Sequence, residues 1–275
     1  MLTLPNDFPA TVDGLVDEAM KIEGWTTPRE LRFLALLAAC PTTTGAVLEI
    51  GSYRGRSTTL LARANQLVSS NAIVAVDHLL QAGAYEAFQE TMRTADVAHL
   101  VEFYQMMSWE LASDWDRPLR LLWIDGNHSY DSTHRDLTSF APCLADGAIV
   151  AIDDVLNRFE GSLRVFLEDI LLSPHFGAAG VCGSIGWAQF HADSRDARPY
   201  HREKLKLYRK LSPLVPLVAF DCYPSGWDKL RYRLLRSRVP RRMPACSDWM
   251  LHVCGPFSKG SRSVYGCPRD RQGQC

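Results

Sequence analysis

The sequence predicts a doubly wound α/β protein: a mostly parallel, seven-stranded sheet with helices on both faces, preceded by a helical cap and followed by a basic helical extension. Three observations predict it. The run VLEIGSYRGRS, residues 47–57, changes from the continuous apolar pattern of a strand buried on both faces to a glycine-containing turn and then to a helix. From residue 46 onward, strand and helix patterns alternate, as a parallel sheet with crossover helices requires. The predicted strands then end on acids, at Asp77, Asp125 and Asp153, with Asp154 following.

The elements follow in order. Over 11–40 there are two helical patterns, the first through Val12, Leu15, Val16 and Ala19. The second starts at Thr27 as N-cap, with Pro28 at the first helical position and Glu30 in the first turn. This cap, 1–44, is expected to cover the sheet edge or a cleft. The sheet domain, 45–192, begins with the strand at Val47, Leu48 and Ile50, and the helix after it shows one apolar face through Leu60, Leu61, Ala64 and Leu67. Strands are predicted over 72–76, 100–104, 119–124 and 147–152, with helices over 85–92, 132–144 and 160–172. The segments around Gly180 and 187–190 suit two closing strands joined near Gly183 and Ser184.

Past the polar stretch 192–199, the extension 193–243 interleaves Arg202, Lys204, Lys206, Arg209 and Lys210 with Leu205, Leu207, Tyr208 and Leu211, and a second basic helix pattern runs over 227–238. This pattern fits an interfacial element for anionic lipid or an acidic partner, and it equally fits a basic helix packed on the domain through its leucines. The tail 244–275, without periodicity, is expected to be disordered.

At 275 residues, 47% apolar and 22% charged, the chain has the composition of a soluble globular protein with one ample core. A net charge of −1 offers no global drive toward nucleic acid or membrane. The eight cysteines form no C-x-x-C pair, and the N-terminal region lacks a basic segment followed by an apolar one, so reduced thiols and a cytoplasmic location are expected.

Glu49, Gly51 and Gly55 make E-x-G-x-x-x-G, whereas a dinucleotide loop reads G-x-G-x-x-G. Tyr53 and Arg56 stand where that fingerprint needs glycine, so a pyrophosphate would meet side chains in place of bare backbone. Ser57 and Thr58 lie where a new helix offers unpaired N–H groups. The departure points to S-adenosylmethionine, which carries no phosphate. Here the chain resembles the class I S-adenosylmethionine-dependent methyltransferases, a resemblance that implies a Rossmann-like sheet. It implies cofactor contacts from Glu49, Gly51, Ser52, Tyr53, Gly55, Ser57 and Asp125, and puts His78 and Ser108 beside the adenine. Asp77 ends the second strand, where a carboxylate can accept both ribose hydroxyls or serve as a strand-end cap.

WIDGNHSYD, residues 123–131, and AIDD, residues 151–154, end the fourth and fifth strands, so three carboxylates can converge. Unpaired, they would repel, and a hard cation such as Mg²⁺ removes that conflict; helix and turn capping is the other role for such acids. With I-D-G-x-H-x-Y and the downstream D-D, the region 48–190 resembles the metal-dependent small-molecule O-methyltransferases. That group includes sugar methyltransferases of antibiotic biosynthesis such as the macrocin type, with cephalosporin hydroxylases as relatives. The resemblance implies Asp125, Asp153 and Asp154 as metal ligands and His128 as general base, since Asn127 occupies the position where some relatives carry an acid. His128 otherwise reads as a surface histidine starting a loop. The expectation is Mg²⁺-assisted O-methylation of a small molecule or sugar, in a chain that can form homo-oligomers. A hydroxylase-like enzyme on the same scaffold and a docking protein with a vestigial cofactor site are the other readings.

Overall fold

The computed structural model describes residues 8–241. The tail expected over 244–275, with Cys246, Cys254, Cys267 and Cys275, lies outside the described residues; Cys143, Cys182 and Cys222 are free thiols.

Two helices come first, α1 (Phe8–Ala19) and α2 (Pro28–Ala39). Thr27 and Glu30 close a reciprocal capping box at the start of α2, with Thr27 N–H donating to Glu30 Oε2 at 2.9 Å. The sheet domain then runs β1 (Ala46–Ile50), α3 (Arg56–Gln66), β2 (Ile73–Val76), α4 (Ala84–Thr94), β3 (Val101–Tyr104), α5 (Ser108–Ser113) and β4 (Leu119–Ile124). It continues through α6 (Tyr130–Phe140), β5 (Leu144–Ile152), α7 (Glu160–Val165), β6 (Phe176–Cys182) and β7 (Ile185–Phe190). The extension holds α8 (Ser194–Ala197), α9 (His201–Leu211) and α10 (Gly226–Ser237).

The seven strands lie in the order β3-β2-β1-β4-β5-β7-β6, parallel except where β7 meets β5 and β6. Side chains alternate across the sheet, so Leu121 and Trp123 of β4 join one core with α1 to α4, while Leu122 and Ile124 join the other with α6, α7 and α9. Burial on both faces explains why β1, β2 and β4 read as apolar runs.

Several boundaries differ from the expected ones. α6 starts earlier because Ser129 caps it, and stops at Phe140 ahead of Pro142. β5 begins at Leu144, since Gly147 at φ +86° sits within the strand and is held by Thr42 Oγ1–H donating to its carbonyl at 2.6 Å. The helix expected over 160–172 changes to a π-helical turn at Phe166–Leu171, whose wider winding keeps Phe166, Leu167, Ile170 and Leu171 all buried. The short helix α5 falls where no helix is anticipated, and six residues carry too little periodicity to announce one. In the extension α9 packs on the domain through Leu207 and Leu211, whereas Leu230 and Leu234 of α10 face water.

Candidate active site

The last ladder bonds of the sheet carry the site. Asp77 N–H donates to Tyr104 O at 3.2 Å, Gly51 N–H to Val76 O at 2.9 Å, Asp125 N–H to Ile50 O at 2.8 Å and Asp153 N–H to Ile124 O at 2.9 Å. Each bond extends strand register by one residue, so Asp77, Gly51, Asp125 and Asp153 form a row at the carboxyl ends of β2, β1, β4 and β5. The strand order reverses within this row, between β1 and β4, where open α/β sheets bind ligands. A cleft of about 920 Å³ opens above it, ample for a small molecule.

At one end stands the glycine loop. Gly51 adopts φ +89°, and a Cβ built there would fall on the Asp125 carbonyl, so only glycine lets the loops after β1 and β4 close together. Asp77 Oδ2 accepts the N–H groups of Ser52 at 2.8 Å and Tyr53 at 2.9 Å, and its Oδ1 accepts Leu79 N–H at 3.0 Å. Asp77 thus caps the loop at the end of β2, and of the roughly four acceptor positions of a carboxylate one, on Oδ1, is free of these backbone donors.

Gly51, Ser52, Tyr53, Ser57, Asp77, His78, Ser108 and Asp125 line the cleft. Glu49 and Gly55, expected among the cofactor contacts, do not. Glu49 is fully buried beneath the loop, where Thr58 Oγ1–H donates to its Oε2 at 2.5 Å, because it lies within β1, where side chains stand out from the faces of the sheet and not beyond the strand end. Gly55, at φ +87°, begins α3 against Met92 and Phe88. Tyr53 and Arg56, the residues that break the dinucleotide fingerprint, hold the segment between α1 and α2 over the loop: Tyr53 packs on Trp25 with ring centroids 4.7 Å apart, and Arg56 donates to Ile22 O at 2.7 Å and Thr26 O at 3.0 Å.

Asp125, Asp153, Asp154 and His128 gather at the other end. The His128, Asp125 and Asp154 side chains keep 18%, 19% and 15% of their exposure, and His128 Nε2 lies 4.0 Å from Asp125 Oδ1 and 3.7 Å from Asp154 Oδ2. Its Nδ1 is 3.3 Å from Ser162 Oγ, and its ring packs on Phe159. Asp154 sits at φ +59°, a conformation that costs a non-glycine residue about 1–3 kcal/mol and that gathers at functional sites. Burial, together with repulsion from Asp153, Asp154 and Glu49, pushes the Asp125 carboxyl well up; burial and the Asp154 and Glu30 charges push Asp153 to about 7. Burial raises Asp154 as well and lowers His128, leaving a neutral imidazole near pH 7.

Among the described residues no lysine or arginine forms an ion pair with these three acids. Arg158, on the cleft wall, lowers Asp154 without offsetting its burial, and an oxygen-only cluster with three carboxylates and so little counter-charge fits a hard divalent cation. No three His, Cys, Asp or Glu side chains among the described residues are preset as a cage, so closing a shell here takes side-chain rotation.

Several residues of the site escape pattern reading. Ser184, in the β6–β7 turn, lies 3.1 Å from Asp153 Oδ1 and also donates by N–H and Oγ–H to Glu30 Oε1, at 2.8 and 2.7 Å. Burial would raise Glu30, but the hydrogen bonds from Thr27 and Ser184 outweigh it and lower its pKa, and the Ser184 hydroxyl lies within reach of both this carboxylate and Asp153. Asp136 of α6 is buried, accepts a short hydrogen bond from Ser108 Oγ, and is raised by burial to about 6. Its signal was an acid on the buried face of α6, with Thr133, Leu137 and Phe140. Gly161 lets the first turn of α7 rest on the backbone of His128, Ser129 and Tyr130, which brings Ser162 to His128. Tyr130 turns away from the cleft, stacking on His134 and donating to Glu168 Oε2 at 3.2 Å.

The buried acids set a pH dependence of folding. Glu49 is raised from 4.5 to about 7, chiefly by burial. The native chain therefore keeps a proton that the unfolded chain releases near 4.5, and this contribution is complete below that pH and lost as pH rises through 7. In chelator, urea stability is expected to fall between pH 5 and 7.5, by roughly 3 kcal/mol from Glu49 alone, and less steeply in Glu49→Gln. A variant with the parental slope would show that Glu49 does not hold that proton.

Residues 48–155 match a family model described as a methyltransferase domain. The fold is similar to that of the O-methyltransferase from Bacillus cereus in complex with SAH, at 19% identity and a TM-score of 0.51, over 64% of this chain and 91% of that one. It is also similar to the O-methyltransferase TomG from Streptomyces achromogenes, involved in tomaymycin synthesis and in complex with SAM, at 20% identity and a TM-score of 0.51, over 70% and 93%. The seven-stranded sheet is the Rossmann-like methyltransferase fold.

Proposed function

We propose that this chain, whose residues 48–155 match a methyltransferase domain, is a class I S-adenosylmethionine-dependent methyltransferase acting on a hydroxyl oxygen of a small molecule or sugar. One observation carries the reading: a single row of strand ends puts the glycine loop and Asp77 at one end of the cleft and Asp125, His128, Asp153 and Asp154 at the other. A bound methyl donor supplies an electrophilic carbon, so the protein's work is to align an oxygen and remove its proton. The O-methyltransferase names of both fold neighbours favour oxygen as the acceptor atom.

In this reading Asp77 takes one ribose hydroxyl on Oδ1 while keeping the loop closed through Ser52 and Tyr53. Ser108 and His78 flank the adenine, and Asp136 offers the acceptor for its amino group. Asp125, Asp153 and Asp154 would hold Mg²⁺, which when bound lowers the pKa of a chelated hydroxyl. His128, kept neutral by burial, accepts the acceptor's proton at Nε2 when Nδ1–H donates to Ser162 Oγ, and Asp154 then faces the imidazolium.

The test is a labelled-methyl transfer assay on glycoside and phenolic acceptors, with Mg²⁺ and after exhaustive chelation. Transfer with metal and a loss of at least about 100-fold without it is expected. Full activity in chelator would remove the metal from the scheme, and failure to bind S-adenosylhomocysteine by calorimetry would remove the methyl transfer.

A further inference from the structure

The α10 helix presents two opposite faces. Tyr232 and Leu235 pack inward, and Tyr232 O–H donates to Asn157 O at 3.0 Å. On the outer face Trp227, Leu230 and Leu234 stand at helical spacing with 86%, 56% and 56% exposure, and Phe220 and Tyr223 of the preceding loop are exposed at 91% and 67%. Lys229 and Arg233 flank this apolar stripe on one side, and Arg231 and Arg238 on the other. From 226 to 241 the chain has six basic side chains against Asp228 alone, although its overall charge is −1. α9 buries Leu207 and Leu211 on the same domain, so the exposure of Leu230 and Leu234 is particular to α10.

We propose that α10 and the loop before it dock this chain on an anionic membrane surface. An apolar stripe bordered on both sides by cations matches an interface in which side chains enter the acyl boundary and the ammonium and guanidinium groups meet phosphates. The surface is a convex helix face and not a groove, which suits a broad planar partner. Twelve residues are too short to span a bilayer, so the helix lies on it. Docking there would bring the acceptor end of the cleft to the membrane, because Asn157, Tyr223 and Arg236 belong both to the surroundings of α10 and to the cleft lining. That last consequence rests on the methyl-transfer reading; the docking does not.

The experiment is co-sedimentation of the full chain, without substrate, with vesicles of phosphatidylcholine alone and of phosphatidylcholine with phosphatidylglycerol. Binding to the mixed vesicles only, weakened by salt, is expected. Replacing Trp227, Leu230 and Leu234 by serine should lower the partition coefficient at least about tenfold, with S-adenosylhomocysteine affinity unchanged. Arg231→Glu with Arg233→Glu and Arg238→Glu should abolish the preference for phosphatidylglycerol. No sedimentation with mixed vesicles would overturn the proposal. So would undiminished binding by the serine variant, or a stripe that joins two copies or an acidic protein while leaving vesicles unbound.

Discussion

Asp153→Asn is expected to lower methyl transfer by roughly 10³-fold or more while leaving S-adenosylhomocysteine affinity within about threefold. The substitution keeps the size of the side chain, and the bond from the residue 153 N–H to Ile124 O, which sets the backbone at the end of β5, is untouched. What it removes is one of three carboxylates in a cluster with which no lysine or arginine among the described residues makes an ion pair, and with it charge available to a cation. Asp77→Ala should do the reverse. Two N–H groups, of Ser52 and Tyr53, lose a charged acceptor, and each such bond is worth about 1.5–3 kcal/mol, so affinity for S-adenosylhomocysteine should fall by about 30-fold or more. Calorimetry and a saturating-cofactor assay on both variants separate the two ends of the cleft. Equal loss of cofactor binding in the two would mean that they are one site and not two.

Gly51→Ala is expected to have the largest effect on both stability and cofactor affinity. At φ +89° an alanine already pays about 1–2 kcal/mol for its conformation, and its Cβ would meet the Asp125 carbonyl and the Gly126 Cα. Relief requires the ends of β1 and β4 to part, which weakens the bond from Asp125 N–H to Ile50 O and tilts the Asp125 carboxylate. A loss of about 2–4 kcal/mol in urea unfolding and of at least about 30-fold in S-adenosylhomocysteine affinity should follow. Gly83→Ala is the control: its φ of +79° carries the same conformational cost, but a Cβ there meets nothing within 4 Å. If Gly51→Ala cost no more than Gly83→Ala, the close approach of the two loops would have no energetic weight.

Much of the sheet was legible because burial on both faces writes itself into local composition. β4 falls on its expected residues, and the Thr27–Pro28–Glu30 start of α2 is observed as a capping box. The acids at 77, 125 and 153 were legible for a related reason: a run of apolar residues ends where the strand leaves the core, and the next side chain faces the cleft. Glu49 misled because a motif position does not say which way a side chain points; within β1 it turns beneath the loop and not into the cleft. Asp136, Ser162 and Gly161 were hidden within helix patterns whose other members are ordinary core residues.

The sequence by itself determined the alternation of strands and helices, the glycine turn after β1 and the carboxylates at the strand ends, since each depends on residues within a few positions of one another. Only the tertiary structure decided how these meet. Ladder bonds across five strands align Asp77, Gly51, Asp125 and Asp153. Asp77 spends about half of its acceptor capacity on the glycine loop, and Glu30, from the N-terminal cap, reaches Ser184 beside Asp153. The physical reason is that hydrogen-bond partners far apart in the chain are chosen by sheet order and register, which no local pattern of side chains encodes.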